Sequence, residues 1–178
     1  MTVRDARRSA VYEAERAVES VLGRDRVGPV TVSLHGSSLT LPVERRFGDA
    51  AGVQRYVDAV LDLDWVTARW PGQRVAVRAR RGQRMAHYEP APEPVIAVPV
   101  ETTWALRELV VLHEVAHHLA RVSVGGAEPS HGPTWAGVYL NLAAVCVGPE
   151  VALLLRASFA DAGVPADESL SYVTEGAV

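Results

Sequence analysis

The sequence predicts an α+β domain in which a small, mostly antiparallel sheet packs against a central helix, with further helices at both ends. Three observations support this fold class. Segments with helical periodicity open and close the chain, short alternating segments occupy its middle, and an apolar helix with paired histidines follows them. The 178 residues, 48% of them hydrophobic, are enough for one buried core, so we expect a single domain over residues 1–163.

The N-terminal part of the chain predicts a helix, a strand and a second helix. Residues 3–22 place apolar side chains on one helical face, and Gly23 would end that helix. Residues 30–34 alternate apolar and polar side chains, as a half-buried strand does. The next helix is expected over residues 49–61, directly after Gly48.

The middle of the chain predicts a hairpin and then an edge strand. Residues 74–80 alternate in polarity, residues 81–83 can turn, and residues 85–88 can pair back as the second arm. Residues 94–99 predict the next strand, and the prolines at its ends favour a position at the sheet edge. Such an edge strand, just before the histidine helix, could pair with an extended peptide.

The most informative motif is His113-Glu114-Val115-Ala116-His117. One helical turn separates its two histidines, so both rings project from one face and can bind one ion. Glu114 lies about 100° round the helix, where it can act as a base toward a water beside that ion. Thr102 or Thr103 is a candidate N-cap of this helix, and residues 125–126, both glycine, predict its end.

A catalytic zinc site needs three protein ligands and leaves one position for water. We expect His131 to be the third ligand, because a glycine-containing loop brings the chain back and Pro133 suits the first turn of another helix. Glu128, in the same loop, is the alternative, and it could also close a purely structural site as a fourth ligand. His118 follows a ligand but points off the ligand face.

The helix motif, followed by His131-Gly132-Pro133-Thr134-Trp135, resembles the SprT-like zinc metalloproteases. In that family the histidine of the second element is the third zinc ligand, which implies the same role for His131. Taken whole, the chain is also similar to a group of actinobacterial metallohydrolases defined around the same helix. The resemblance covers about residues 103–140 and implies a minimal zincin-like domain. Cys146 is the only cysteine, so the zinc ribbon that accompanies DNA repair in some SprT-like proteins is missing.

The predicted chemistry is hydrolysis assisted by one Zn²⁺ ion held by His113, His117 and His131. Glu114 would take a proton from the attacking water and return it to the leaving amine. Tyr139 is a candidate for stabilising the charge that develops on the carbonyl oxygen, although a tyrosine in an apolar stretch is more often a core residue. The same three imidazoles would also suit cobalt, nickel or iron.

Three functional hypotheses follow. The first is a zinc metallopeptidase, whose partner is a peptide or protein substrate. The second is a metallohydrolase of a small non-peptide amide, which needs a closed pocket in place of a groove. The third is a zinc-stabilised binding or regulatory module without catalysis, which the presence of Glu114 beside three imidazoles disfavours.

Composition narrows the setting. The net charge of −3 argues against a general binder of nucleic acid or anionic membranes. Residues 1–22 are too charged for a secretion signal, and residues 138–155 are interrupted at Gly148, so two buried helices are expected there rather than a membrane span. With a single cysteine and no intrachain disulfide, a cytoplasmic location is the default expectation.

Two further segments have less definite patterns. Residues 164–178 are acidic and weakly patterned, so we expect a flexible tail. Six arginines occur between residues 69 and 84, which could be a patch for an acidic substrate or for single-stranded nucleic acid. A solvated strand face would have the same composition.

Overall fold

The computed structural model describes residues 4–23, 28–34, 36–82, 85–101 and 106–170, and it has the predicted α+β architecture. The helices in these residues are α1 (Arg8–Leu22), α2 (Ala50–Leu61), α3 (Asp64–Arg69), α4 (Glu108–Val124), α5 (Pro133–Cys146) and α6 (Pro149–Asp161). The strands are β1 (Val30–Leu34), β2 (Ser37–Leu41), β3 (Ala76–Arg80), β4 (His87–Glu89) and β5 (Val95–Pro99). A short 3₁₀ helix, Glu168–Leu170, closes the described chain.

The N-terminal segments largely follow the sequence pattern. Helix α1 buries every third or fourth side chain and packs against α6, and it ends at Gly23, whose positive φ of 72° allows its N–H to bond the Glu19 carbonyl. The predicted strand β1 forms an antiparallel hairpin with β2, from the pair Val30↔Leu41 to the pair Leu34↔Ser37. Strand β2 was not predicted, and neither was the short helix α3.

The predicted pairing of β3 with β4 is wrong. The three-stranded sheet has the order β3-β5-β4, in which β3 runs parallel to β5 and β4 runs antiparallel to it. Strand β5 therefore separates the two segments that were expected to form a hairpin. The physical reason is burial, because β5 is the most apolar of the three strands and gains most from a neighbour on each side.

The edge position predicted for residues 94–99 is wrong for the same reason. Ile96, Ala97 and Val98 are fully buried in the central strand. The prolines do not interrupt the pairing, since Pro94 precedes the strand and offers its carbonyl to the Ala76 N–H, while Pro99 is its last residue. Strand β4 is the edge strand beside the histidine helix, and it contacts α4 directly.

Buried charges fix the N-terminal end of α4. Arg107, the residue before the helix, pairs with Glu44, and both side chains are buried. The Glu108 carboxylate accepts hydrogen bonds from the Arg45 backbone N–H at 2.8 Å and from the Tyr56 hydroxyl at 2.7 Å. The helix begins at Glu108, later than predicted, and the proposed N-caps at 102 and 103 lie outside the described residues.

The C-terminal half of the chain matches its predicted layout. Helix α4 ends where predicted, at Gly125 in the left-handed conformation, and α5 and α6 are separated at Gly148. Helix α5 packs between α4 and α6 and is buried along most of its length. None of the described helices is long and apolar enough to cross a membrane.

Residues 164–170 differ from the predicted flexible tail, because they pack against α5. The Asp167 N–H bonds the Pro133 carbonyl at 2.9 Å, and the Asn141 side chain bonds the Leu170 carbonyl at 2.6 Å. Val164 and Leu170 are buried. These seven residues therefore extend the folded domain, and the rest of the predicted tail, 171–178, lies outside the described residues.

Candidate metal centre

Three histidines converge at the middle of α4. His113 and His117 project from one face of the helix, and His131 approaches them from the loop just before α5. The Nε2 atom of His113 lies 3.1 Å from Nε2 of His117 and 3.3 Å from Nε2 of His131. Nitrogens bound to one zinc at tetrahedral angles lie about 3.3 Å apart. Two of the three separations match this value, and all three ligand atoms lie within 4.8 Å of one another, so the three side chains could hold one ion.

Two carboxylates from the N-terminal region fix the orientation of these rings. Nδ1 of His113 lies 2.6 Å from the Glu15 carboxylate, and Nδ1 of His131 lies 2.5 Å from that of Asp5. Because a carboxylate only accepts hydrogen bonds, each Nδ1 must carry a hydrogen, and the lone pair of the neutral ring is on Nε2. Carboxylates hold metal-binding histidines in this way.

The electrostatics of the cluster favour one shared positive charge. Burial lowers the pKa of His117 well below its usual value, and the neighbouring His113 lowers it further. Burial and His113 also lower the pKa of His131. Burial also lowers the pKa of His113, but nearby carboxylates, Glu15 foremost, have the larger combined effect. The pKa of His113 is therefore raised. The converging nitrogens can share one cation, and a metal ion fits that position.

The alternative ligands have other partners. The Glu128 carboxylate accepts hydrogen bonds from the Thr134 backbone N–H at 3.1 Å and from the Thr134 hydroxyl at 2.8 Å, so it caps the first turn of α5. The Glu128 carboxylate can lie this close to the start of α5 because Gly132 has no side chain. A Cβ atom at position 132 would lie 2.6 Å from Glu128 Oε2. His118 is buried on another face of α4, with its Nδ1 3.2 Å from the Tyr88 hydroxyl.

Glu114 lies beside the cluster and is buried, with 5% of its surface exposed. Burial raises the pKa of its carboxyl above the usual value, while His113 and a hydrogen bond from the Tyr88 backbone oppose part of that rise. The bond to strand β4 fixes the carboxylate next to the histidines without making it a member of the three. A carboxylate held in this position can exchange a proton with a molecule bound at the centre.

A cleft of about 1130 Å³ opens onto Glu114, His117 and His131. Helix α1 forms one wall, strand β4 another, and the loop after α4 contributes the third. Two of these walls each contribute a tyrosine to the lining of the cleft, Tyr12 from α1 and Tyr88 from β4. The candidate site is therefore accessible to a molecule larger than a metal ion.

Aromatic rings pack around the three histidines. Trp135 lies beneath them, is 1% exposed, and contacts the His113 carbonyl through its Nε1 at 3.3 Å. Tyr12 stacks on His113 from the other side, with ring centres 5.8 Å apart. Tyr139, which the sequence offered for the carbonyl oxygen, is 1% exposed, packs on Trp135 and does not line the cleft. It is a core residue.

No sequence feature singles out Asp5, Tyr12 and Glu15 as site residues. Tyr12 and Glu15 lie three residues apart on α1, beside the apolar stripe, where polar side chains are usual on any amphipathic helix. Asp5 precedes the helix by three residues. In the sequence, the available indication of a site is that polar and aromatic residues lie next to the apolar stripe of α1. The residues around them do not identify partners that are more than 90 positions away.

The fold and the site define an α+β protein with a candidate metal centre of three histidines. Comparisons of the chain with protein-family models, with curated proteins and with solved structures found no match. Function is therefore inferred from the side chains of the site themselves.

Proposed function

We propose that this protein is a zinc-dependent hydrolase, and specifically a metallopeptidase that cleaves amide bonds in peptides or proteins. The observation that carries this proposal is the convergence of three imidazole Nε2 atoms beside a buried carboxylate in an open cleft. The resemblance of the two histidine motifs to SprT-like proteases agrees with it.

The donor set suits zinc. Three imidazoles are a common catalytic zinc set, and His113, His117 and His131 would hold the ion through their converging ring nitrogens. When bound there, zinc would supply a Lewis acid that polarises a carbonyl and makes a coordinated water acidic near neutral pH. Glu128 caps α5 and does not complete a fourth protein position, which favours an open catalytic site over a closed structural one.

Glu114 is the proposed general base and acid. Its raised pKa brings it closer to neutrality, where a carboxylate accepts and returns a proton most effectively. The Tyr88 backbone N–H keeps the carboxylate at the cleft, so the proton taken from the attacking water can be carried to the leaving nitrogen.

Two tyrosines can stabilise the carbonyl oxygen as it gains negative charge. Burial raises the pKa of Tyr12 and of Tyr88, and both hydroxyls therefore keep their hydrogen at neutral pH. Each lines the cleft and can donate a hydrogen bond to an oxygen of the bound substrate. These two residues replace Tyr139 as candidates for this role.

Cleft shape favours a peptide over a small amide. The volume of about 1130 Å³ lies just above the range of about 300–1,000 Å³ that is typical of small-molecule pockets. Strand β4 is an edge of the three-stranded sheet and forms one wall of the cleft, so its outer backbone groups can pair with an extended substrate. The edge-strand role predicted for residues 94–99 thus passes to β4 in this proposal.

The test is the variant Glu114→Gln, which keeps the shape of the side chain but cannot accept a proton. Zinc-loaded wild type and variant would be incubated with a mixture of random-sequence peptides, and the products identified by mass spectrometry. We expect Glu114→Gln to retain about one zinc per chain and to lose on the order of 10²- to 10⁴-fold in cleavage rate.

The matched control is Glu13→Gln, which makes the same change at an exposed position of α1. It should cleave like wild type. Cleavage by Glu114→Gln at the wild-type rate would reject Glu114 as the base, and a zinc-loaded wild type that cleaves no peptide would reject the peptidase assignment.

A further inference from the structure

Three arginines line the cleft, each from a different element: Arg8 from α1, Arg80 from β3 and Arg121 from α4. Within the described part of the chain, none of them forms an ion pair with a carboxylate. Five other described arginines do form such ion pairs, and they are Arg45, Arg74, Arg78, Arg107 and Arg156. Of the arginine-rich segment noted in the sequence, Arg80 is the described member that lines the cleft.

Arg121 is directed into the cleft by its place on α4. It follows His113 and His117 at intervals of four residues, so it lies on the same helical face as the ligands, one turn further on. Its guanidinium group packs on the backbone of Gly126, where a Cβ atom would lie 1.8 Å from Nη1. Gly126 also has a positive φ of 85°. A side chain at position 126 would therefore displace the Arg121 head group.

The other two guanidinium groups contact side chains that are not carboxylates. Arg80 donates from Nη1 to His87 Nδ1 at 2.8 Å, and His87 is fixed in turn by Glu89 through its Nε2 at 2.7 Å. Arg8 lies over the ring of Tyr12, with Cζ 5.5 Å from the ring centre, and hydrogen-bonds its hydroxyl. Both head groups keep donors for an incoming anion, since a guanidinium has five.

The three acidic residues of the cleft are hydrogen-bonded to groups other than these arginines. Asp5 is engaged by His131, Glu114 by the Tyr88 backbone, and Glu128 by Thr134. The cleft wall thus has three guanidinium charges on three sides of a site whose carboxylates already have partners. Since three carboxylates and three guanidinium groups line the cleft, an acidic ligand would be recognised by the individual guanidinium groups and not by a net positive surface.

We propose that the cleft selects polypeptide segments with acidic side chains on both sides of the cleaved bond, and that Arg8, Arg80 and Arg121 bind those side chains. This inference rests on the proposed peptidase function and adds the substrate class. Guanidinium groups bind carboxylates through paired, charge-assisted hydrogen bonds. A polypeptide fits better than a nucleic acid because the edge strand β4 offers backbone pairing, which an extended peptide can use and a nucleic acid cannot.

The test measures binding in the zinc-loaded Glu114→Gln protein, so that no probe is consumed. Fluorescein-labelled peptides of equal length, in which alanine alternates with glutamate, glutamine or lysine, and a fluorescein-labelled oligothymidylate are titrated at low salt and followed by fluorescence anisotropy. We expect the glutamate peptide to bind at least about tenfold more tightly than the glutamine peptide. When Arg121→Gln or Arg80→Gln is combined with Glu114→Gln, binding of the glutamate peptide should weaken by on the order of tenfold.

Two further variants complete the design. Arg74→Gln removes the same charge outside the cleft and should leave binding unchanged. Gly126→Ala keeps the charge of Arg121 but displaces its head group. Binding of the glutamate peptide should therefore weaken, as it does in Arg121→Gln. This result would distinguish the position of the guanidinium group from the net charge of the protein. Circular dichroism shows which variants are folded.

Equal binding of the glutamate and glutamine peptides, or an Arg74→Gln effect as large as that of Arg121→Gln, would overturn the inference. Tighter binding of oligothymidylate than of the glutamate peptide would overturn it in favour of a phosphate ligand. The two proposals fail separately. Arginine-dependent binding with no cleavage by wild type rejects the peptidase alone, whereas cleavage of mixed peptides without acidic preference rejects the arginine selection alone.

Discussion

The two halves of helix α4 use buried polar groups in opposite ways. At its N-terminal end, Glu108 accepts hydrogen bonds from Arg45 and Tyr56, and Arg107 pairs with Glu44, so each buried charge meets an opposite charge of the same chain. About one and a half to two and a half turns later, His113 and His117 turn their Nε2 atoms toward each other, and His131 joins them from the loop before α5. Here the polar groups that face one another are all of the same chemical kind.

This difference distinguishes two roles for buried polar groups within one helix. A buried charge with a partner in the chain stabilises the fold, because removing either member leaves the other without compensation. A set of converging acceptors has no such partner in the chain, and a cation bound from outside would satisfy its members. Changes at the N-terminal end should therefore alter stability, and changes at the histidines should alter metal binding.

The largest effect is expected for His131→Ala. Two imidazoles remain, which are too few to hold a catalytic zinc, so the metal content should fall from about one ion per chain to none that survives purification. Elemental mass spectrometry on protein purified without added metal measures it. His87→Ala, which removes a cleft histidine outside the three, should keep the ion, and equal metal loss in both variants would contradict the assignment.

The next effect concerns the other end of the helix. Glu44→Gln leaves Arg107, which is 3% exposed, without its nearest counter-charge, and should lower the free energy of unfolding by about 3 kcal/mol. Urea unfolding followed by circular dichroism measures this. The metal content should not change. The control Asp62→Asn breaks the exposed pair with Arg74 and should cost less than about 1 kcal/mol.

A smaller effect is expected where the histidines meet their carboxylates. Asp5→Asn and Glu15→Gln leave all three ligands in place but weaken the orientation of His131 and His113, so zinc affinity should fall by about 10- to 100-fold. Competition with a chromogenic chelator gives the dissociation constants. Unchanged affinity in both variants would mean that the carboxylates only pack against the site.

The smallest effect is expected for Glu128→Ala. Because its carboxylate caps α5 through Thr134, the substitution should lower the free energy of unfolding by about 1 kcal/mol. Zinc content should stay at about one ion per chain. Loss of the metal in this variant would restore Glu128 as a ligand and with it the hypothesis of a closed structural site.

Much of the local structure could be predicted from the pattern of residues. The periodicity in α1, α2 and α4 and the glycine stops at Gly23 and Gly125 gave elements that the structure confirms within a few residues. The sheet was less predictable. The hairpin predicted over residues 74–88 and the edge position predicted for residues 94–99 both depended on which strand buries most surface, and that is decided by packing on both faces rather than by the alternation within one strand.

The candidate site, too, could be predicted only in part from the sequence. The sequence by itself determined His113, Glu114, His117 and the expectation for His131, because helical spacing fixes which side chains share a face whatever the surrounding fold. Only the tertiary structure brought Asp5 and Glu15 to the imidazole rings and placed β4 beside Glu114. Contacts between residues as far apart as 126 positions depend on how whole elements pack, which no local pattern encodes.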